Sequence, residues 1–375
     1  MNHEGDNRMK KVCFLNGHLI LREHKTGVHI FHEKVTKKIL EKKRKYDVNI
    51  AYFDCKNKYS KYLEKNQWMG PFVNVCEKAP RILSYILPIE LFFGYNDVYF
   101  CDGLFPHTMK KSKKICLVHD LMVKIYPENY TLMKKLYLNL FFNKLKKADA
   151  IICVSNNTKE DIIKYYNVEQ EKITVCYNGI DNVVKNIDEP ESKLIKKGDE
   201  FFLYIGDMRK NKNLLNTVKG FLEFCKRNKQ SETKLYIAGK QNDEYEIIKE
   251  VIDESEYSDR IVFLGYVSED DKNYLYSHAK CVLLISFYEG FGMPIIEAMQ
   301  RYKPVITSNC SSMKEIGENA AILVDPNDIS EIADKMAYVD MGDYQIDRNE
   351  YDKRIRKFSF DNVSEIINEV INNVL

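Results

Sequence analysis

Phe287-Tyr-Glu-Gly-Phe-Gly-Met-Pro-Ile-Ile-Glu-Ala-Met299 is the stretch on which the reading of this chain turns. The apolar run Cys281–Ile285 before it predicts a strand, and Pro294–Arg301 after the turn predicts a helix. Proline suits a first helical position, because its fixed backbone angle is already helical and its missing N–H has no partner there. Gly290 and Gly292 permit a tight turn and close approach of backbone to a ligand. The helix start then offers free N–H groups and the positive end of a dipole, which suits a diphosphate. Glu289 stands before the turn, and Glu297 is expected on the first helical turn. Carboxylates accept hydrogen bonds from sugar hydroxyls, while the amides between them can hold phosphates. The plain alternative is a strand-to-helix turn in which Glu297 complements the dipole.

Working outward, strands and helices alternate, which predicts parallel sheets with crossover helices. Strands are expected at Val12–Leu15, Val48–Phe53, Asp97–Phe100, Lys114–Val118, Ala150–Val154 and Ile173–Cys176. Helical spacing covers His29–Lys45 and Tyr130–Lys147, and Ser155 caps a helix running to Tyr166. The polar stretch Val183–Asp199, with Pro190, reads as a linker. Alternation then restarts with strands at Phe201–Ile205, Lys234–Ala238, Ile261–Leu264, Cys281–Ile285, Pro304–Thr307 and Ala321–Val324. The expected architecture is α/β: two Rossmann-like doubly wound domains facing a cleft. Their bounds are 1–186 and 200–357, with a linker at 187–199. The amphipathic C-terminal segment 358–375 is expected to pack back on the first domain. In such sheets ligands lie beyond the carboxyl ends of the strands.

Three further loops sit at such strand ends. Gly206-Asp-Met-Arg-Lys-Asn-Lys-Asn213 offers Arg209, Lys210 and Lys212 as phosphate partners. Arg22-Glu-His-Lys-Thr-Gly27 leads a glycine turn into a helix, and His119-Asp120 closes a strand. Asp270-Asp271 resembles a metal-binding pair, but acids favour a helix N-terminus and the pair opens one. No zinc spacing, P-loop or G-x-S-x-G is present, and no metal is expected.

Composition narrows the class. A length of 375 residues allows two cores. The ten cysteines are scattered without a C-x-x-C pair and read as free thiols of a reducing compartment. The opening apolar run is broken by Asn16, Gly17 and His18, unlike a signal peptide, and no run reaches the roughly 18 apolar residues of a membrane span. A cytoplasmic protein is expected. Net charge is +2, yet residues 1–150 hold 28 Lys and Arg against 15 Asp and Glu. That basic half, through His29–Lys45 and Lys110–Lys114, suits an anionic membrane surface. No nucleic acid partner is expected.

At these residues the sequence resembles glycosyltransferase family 4, of GT-B fold. The string Glu289–Met299 carries the family's two glutamates. Phe202–Asn213, Val262–Val267, Ala321–Pro326, Tyr177–Asp181, Val118–Leu121, Val154-Ser155 and Thr26–Val28 follow in the family's order. The resemblance implies transfer of a hexose, mannose or rhamnose in many members, from a GDP-, UDP- or dTDP-sugar to a glycan or lipid-linked acceptor. It implies retention of configuration, with no metal or other cofactor. Glu289 would meet sugar hydroxyls. Gly290, Phe291 and Gly292 would offer amides, and Glu297 would hold the ribose. Lys212 would hold the diphosphate, Gly206 would open its loop, and Val267 would meet the base through its backbone. His119 would reach the sugar, and Gly27 would approach the phosphate. Many members carry arginine where this chain has Asp207, and Arg209 is the candidate replacement. The alternatives are a nucleotide-sugar-binding protein without turnover and another GT-B enzyme such as a glycosyl phosphorylase.

Overall fold

Short apolar runs bounded by turn residues form the strands of two wholly parallel sheets. Strands buried on both faces lose the alternation of polar and apolar residues, so runs such as Ala150–Cys153 and Cys281–Leu284 are buried throughout. The computed structural model describes residues 8–23, 25–109, 111–181, 194–196, 198–242 and 244–375. Much of the expected linker, and Lys110, lies outside these residues.

The chain divides into two compact units. One comprises Met1–Val123, Tyr130–Gly179 and Phe360–Leu375; the other comprises Lys124–Asn129 and Ile180–Ser359. The first unit holds β1 (Lys10–Phe14), β2 (Tyr46–Phe53), β3 (Val73–Cys76), β4 (Val98–Asp102), β5 (Lys113–Val118), β6 (Ala150–Cys153) and β7 (Ile173–Val175). Their order across the sheet is β3-β2-β1-β4-β5-β6-β7. The second unit holds β8 (Phe201–Ile205), β9 (Lys234–Ala238), β10 (Ile261–Gly265), β11 (Cys281–Leu284), β12 (Val305–Ser308) and β13 (Ile322–Val324), in the order β10-β9-β8-β11-β12-β13. The order reverses between β1 and β4 in one sheet and between β8 and β11 in the other. At such a point neighbouring strands send their connections to opposite faces, which opens a crevice at the strand ends. Two doubly wound units of this kind constitute the expected GT-B architecture.

The C-terminal helix Phe360–Val374 belongs to the first unit. Its Val363, Ile367 and Ile371 are buried in the core that also takes Phe31, Val35 and Ile39 of the helix Gly27–Glu41. Lys38 and Lys42 pair with Asp361 and Glu365 of that C-terminal helix, so part of the expected basic helix face is covered by acids.

Several expectations are corrected. The hexapeptide Lys124–Asn129 joins the second unit: Asn129 Nδ2 donates to Asn211 Oδ1 at 3.2 Å, and the Tyr126 and Tyr288 rings meet at 6.5 Å. The helix expected over Tyr130–Lys147 spans Leu132–Phe142, with Asn143 as its cap. Strand β3 was not expected, because Val73-Asn-Val-Cys76 is short and has a polar residue inside it. The helix after the Gly-x-Gly turn begins at Met293, which places Pro294 second. Asp270 and Asp271 do open a helix, Glu269–His278, with Ser268 Oγ accepting the Asp271 N–H at 3.1 Å.

Glycines at the ends of β8, β9 and β10 pack backbone on backbone. Gly206 N–H donates to the Ala238 carbonyl at 2.9 Å, and Gly239 N–H donates to the Gly265 carbonyl at 2.8 Å. A Cβ on Gly239 would lie 1.9 Å from the Gly206 carbonyl oxygen, at a φ of +150°. Gly265 also has a positive φ, +67°, but open space around it. Gly239→Ala should therefore cost about 3 kcal/mol or more and Gly265→Ala about 1 kcal/mol, since only the first adds a backbone collision to the conformational cost. Urea unfolding of the two variants checks the order, and equal costs would contradict this packing.

Candidate functional site

In the second unit the loop after β8 and the loop after β11 meet at the reversal point. Lys212 Nζ donates to both Glu289 oxygens, at 2.7 and 2.8 Å. Ser286 Oγ adds a third bond to Glu289 at 2.7 Å. The backbone of Glu289 is fixed as well: its N–H reaches Ser311 Oγ, and its carbonyl accepts from Ser311 and Ser312. Lys212 is oriented by two buried asparagines. Asn211 Nδ2 donates to the Tyr288 carbonyl at 3.1 Å, and Asn213 Nδ2 donates to the carbonyls of Ile285 and Pro326. Asn213 takes the left-handed conformation with φ +54°, which asparagine tolerates better than most residues.

Glu297 lies one residue beyond the first turn of Met293–Met299, so it does not act as the dipole-complementing acid of that turn. Its oxygens take Lys272 Nζ at 2.8 Å and the Tyr276 hydroxyl at 2.6 Å. Burial would lower the Lys272 pKa, but the Glu297 charge and hydrogen bond outweigh it and hold the ammonium charged. Burial and then the Glu297 charge push the Tyr276 phenol well up, so it stays a donor.

Between the two glutamates lie two glycines, a buried phenylalanine and the start of the helix. Phe291 buries its ring against Phe358, with centroids 5.5 Å apart. Gly292 caps the helix at φ +105°, where a Cβ would press on Ile295 and Leu284 at 3.2 and 3.3 Å. Gly290 is half-buried before it. Arg209 pairs with Asp207 at 3.4 Å, so the residue in the place of the family's arginine binds the candidate substitute. Gly206 starts this loop, and Val267 is half-buried between exposed Tyr266 and the capping Ser268. The structure thus gathers Arg209, Lys212 and Glu289 on loops that meet, with Glu297 on the helix that follows Glu289.

Gly27 and His119 belong to the first unit. Gly27 is the first residue of its helix, and the Thr26 N–H before it donates to His29 Nδ1 at 3.0 Å. His119 follows β5 and lines a cavity of about 260 Å³ together with His18, Asp102, Tyr137 and Phe141. Its two ring nitrogens are buried without a hydrogen-bond partner. Its Nε2 stands 3.6 Å from Asp102 Oδ2, whose stronger partner is His32 Nε2 at 2.7 Å. Burial would raise the Asp102 carboxyl, but the two imidazoles outweigh it and hold it well below the usual carboxylate range. His32, Asp102 and His119 bring donor atoms within 4.8 Å of one another. The 2.7 Å contact between His32 Nε2 and Asp102 Oδ2 has the length of a direct hydrogen bond. A larger concavity, about 560 Å³, lies elsewhere on the second unit, is lined by Lys219, Glu223 and Lys226, and holds no candidate residue.

Sequence reasoning missed Lys272 and Tyr276 as the holders of Glu297, and Asp102 and His32 as neighbours of His119. Lys272 and Tyr276 share one helix face four residues apart, which is a detectable spacing. Asp102 and His32 are 70 residues apart and carry no local signal. All ten cysteines are free, and eight are buried. Among the described residues no helix is long and apolar enough to cross a membrane.

Two families match the chain: "Glycosyl transferases group 1" over residues 185–358 and "Glycosyltransferase Family 4" over residues 97–183. The O-antigen chain mannosyltransferase RfbU of Salmonella typhimurium is 28% identical over 290 residues, 76% of this chain and 77% of the relative. The O-antigen chain mannosyltransferase B of Escherichia coli is 28% identical over 234 residues, and the match spans 61% of each chain. The structure of Anabaena Alr3699/HepE in complex with UDP and glucose superposes with a TM-score of 0.70 at 16% identity, covering 97% of this chain and all of that one.

Acid should destabilise the first unit through its buried histidines. Burial, then the Arg81 charge, lowers the His18 pKa well below 6.5, and burial lowers that of His32. Below about pH 6.5 the unfolded chain binds protons that these folded imidazoles refuse, so stability falls as pH falls. The urea midpoint should drop between about pH 7 and pH 5, and His18→Asn with His32→Asn should flatten that drop. A midpoint that rises on acidification would contradict the burial account.

Proposed function

We propose that this chain, which carries the group 1 and family 4 glycosyltransferase domains, transfers a hexose from a nucleotide-sugar to a glycan or lipid-linked glycan. Mannose is the proposed sugar and polysaccharide assembly the proposed setting, on the strength of the O-antigen mannosyltransferase relatives. The carrying observation is the Lys212–Glu289 couple at the reversal point of the second sheet, beside the Gly290–Gly292 turn.

Each group has a chemical task in this reading. Glu289 accepts hydrogen bonds from donor-sugar hydroxyls. Lys212 spends two of its three N–H donors on Glu289 and directs the third at the diphosphate. Glu297, steadied by Lys272 and Tyr276, accepts from ribose hydroxyls, and Val267 meets the base. The assignments of His119 to a sugar hydroxyl and of Gly27 to the phosphate rest on the family resemblance. The site needs no metal, because Arg209, Lys212 and backbone N–H groups face the charge that develops.

The chemistry proposed is retention of configuration. The bond from the anomeric carbon to the phosphate oxygen breaks, and the acceptor hydroxyl attacks the same face. Its proton passes to an oxygen of the departing phosphate. No protein carboxylate forms a bond to the sugar. The reaction is proposed for the cytoplasm, at the membrane face where lipid-linked acceptors lie.

Incubation with GDP-, UDP- and dTDP-sugars and a glycan acceptor, read by released nucleotide and the anomeric NMR signal of the product, tests the reading. Glu289→Gln or Lys212→Met should lower kcat/KM by about 10²–10³-fold. Glu297→Gln should raise donor KM about tenfold with kcat nearly kept, because it removes binding shared by ground and transition states. Full turnover by the Glu289→Ala, Lys212→Ala double variant, an inverted product, or donor binding without nucleotide release would each contradict it.

A further inference from the structure

Among the described residues, strongly exposed aliphatic side chains gather in two segments of the first unit. One runs from the turn Arg81–Tyr85 into the helix Glu90–Phe93, with Ile82 and Ile86 exposed to 65% and 72%. The other is the helix Leu132–Phe142, where Leu132 and Met133 are exposed to 71% and 73% and Leu136 and Leu140 to more than half. The two segments are neighbours. Arg81 Nη2 donates to the Tyr137 hydroxyl at 2.7 Å, and the Tyr85 and Tyr137 rings meet edge to face at 5.7 Å. The exposed residues therefore flank a shared Tyr85–Tyr137 seam as two apolar ridges. Patches of this kind mark a partner or a lipid surface.

We infer that these ridges are the surface by which the first unit docks on an anionic lipid bilayer. Charge decides between lipid and protein. The stretch 130–147 holds Lys134, Lys135, Lys144, Lys146 and Lys147 and no acid. Segment 81–91 adds Arg81, and its one acid, Glu90, is turned to the Met109 N–H. Lysine is depleted from protein–protein interfaces, but lysine around apolar side chains is the composition that binds anionic lipid. The location also fits an amphiphilic acceptor. Tyr137 and Lys134 line the 260 Å³ cavity that His119 enters, and Arg81 Nη1 contacts His18 Nε2 there at 2.6 Å. A polar headgroup in that cavity would leave its lipid chain at the ridges. The docking surface is thus distinct from the helix Gly27–Glu41, whose Lys38 and Lys42 face acids of the C-terminal helix.

The inference deepens the lipid-linked acceptor reading, but its test needs neither donor nor acceptor. The full chain is co-sedimented with vesicles of phosphatidylcholine alone or of roughly two parts phosphatidylcholine to one of phosphatidylglycerol. The wild type should partition onto the anionic vesicles. At about 1 M salt, where charges are screened beyond about 3 Å, a reduced apolar component should persist. Leu132→Ser with Met133→Ser, and Ile82→Ser with Ile86→Ser, should each lower the partition coefficient about tenfold. Unfolding midpoints should be unchanged, since these side chains are exposed. Absence of vesicle binding by the wild type, or equal binding by the serine variants, would overturn the inference. So would a wild-type dimer, seen by light scattering, that the serine variants dissociate: a second copy would then cover the ridges. Nucleoside diphosphate binding, measured in parallel, reports separately on the glycosyltransferase reading.

Discussion

A carboxylate removed from water must be compensated, and Glu289 is compensated by Lys212 and Ser286 together. Burying an ion pair rarely adds stability over apolar packing, because each ion loses its hydration. The second unit nevertheless spends two buried asparagines and three serines on fixing this one pair. The strand order makes it feasible. Strands β8 and β11 are neighbours whose connections diverge, so their terminal loops can approach without a helix between them. Turn glycines, capping serines and alternating asparagines are all consequences of holding that approach.

The same unit presents its cations already paired. Lys212 faces Glu289, Arg209 faces Asp207, and Lys272 faces Glu297. Unpaired, these cations would repel one another and lose side-chain order. Paired, they are placed before a ligand arrives, which lowers the ordering cost of binding. A diphosphate would share these cations with the acids rather than meet bare charge. Recognition then depends on the direction of N–H donors more than on net attraction. The exchange of the usual arginine for Asp207 fits this pattern, since Arg209 is steadied by the residue that displaced the arginine.

Much of this was legible in the sequence because it is local. The turn Glu289–Pro294 declares itself by glycine, proline and flanking acid, and continuous apolar runs such as Cys281–Ile285 announce buried parallel strands. Ser268 before Glu269-Asp-Asp271 declared a helix start, as found. What was illegible is non-local or weakly patterned. Strand β3 is four residues long, with Asn74 inside it. The pairing of Asp102 with His32 depends on strand order, which brings β4 next to β1. The helix around Leu132–Phe142 was expected from its spacing, but not the exposure of its leucines, because periodicity shows that a face is apolar without showing what covers it. The helix start at Met293 moved Glu297 out of the first turn, the usual error of a boundary read from one proline.

The two units divide the chemistry unevenly. The second carries the paired charges and the Gly290–Gly292 turn; the first carries the cavity that His119 lines beside Asp102. In the proposed function the Lys212–Glu289 loops hold the diphosphate of a nucleotide-sugar. Isothermal titration of the full chain with GDP, UDP and dTDP, repeated with Lys212→Met, tests it most directly. At least one nucleoside diphosphate should bind, and the variant should lose affinity about tenfold or more. Binding of equal strength to wild type and variant, or no binding of any of the three, would contradict it.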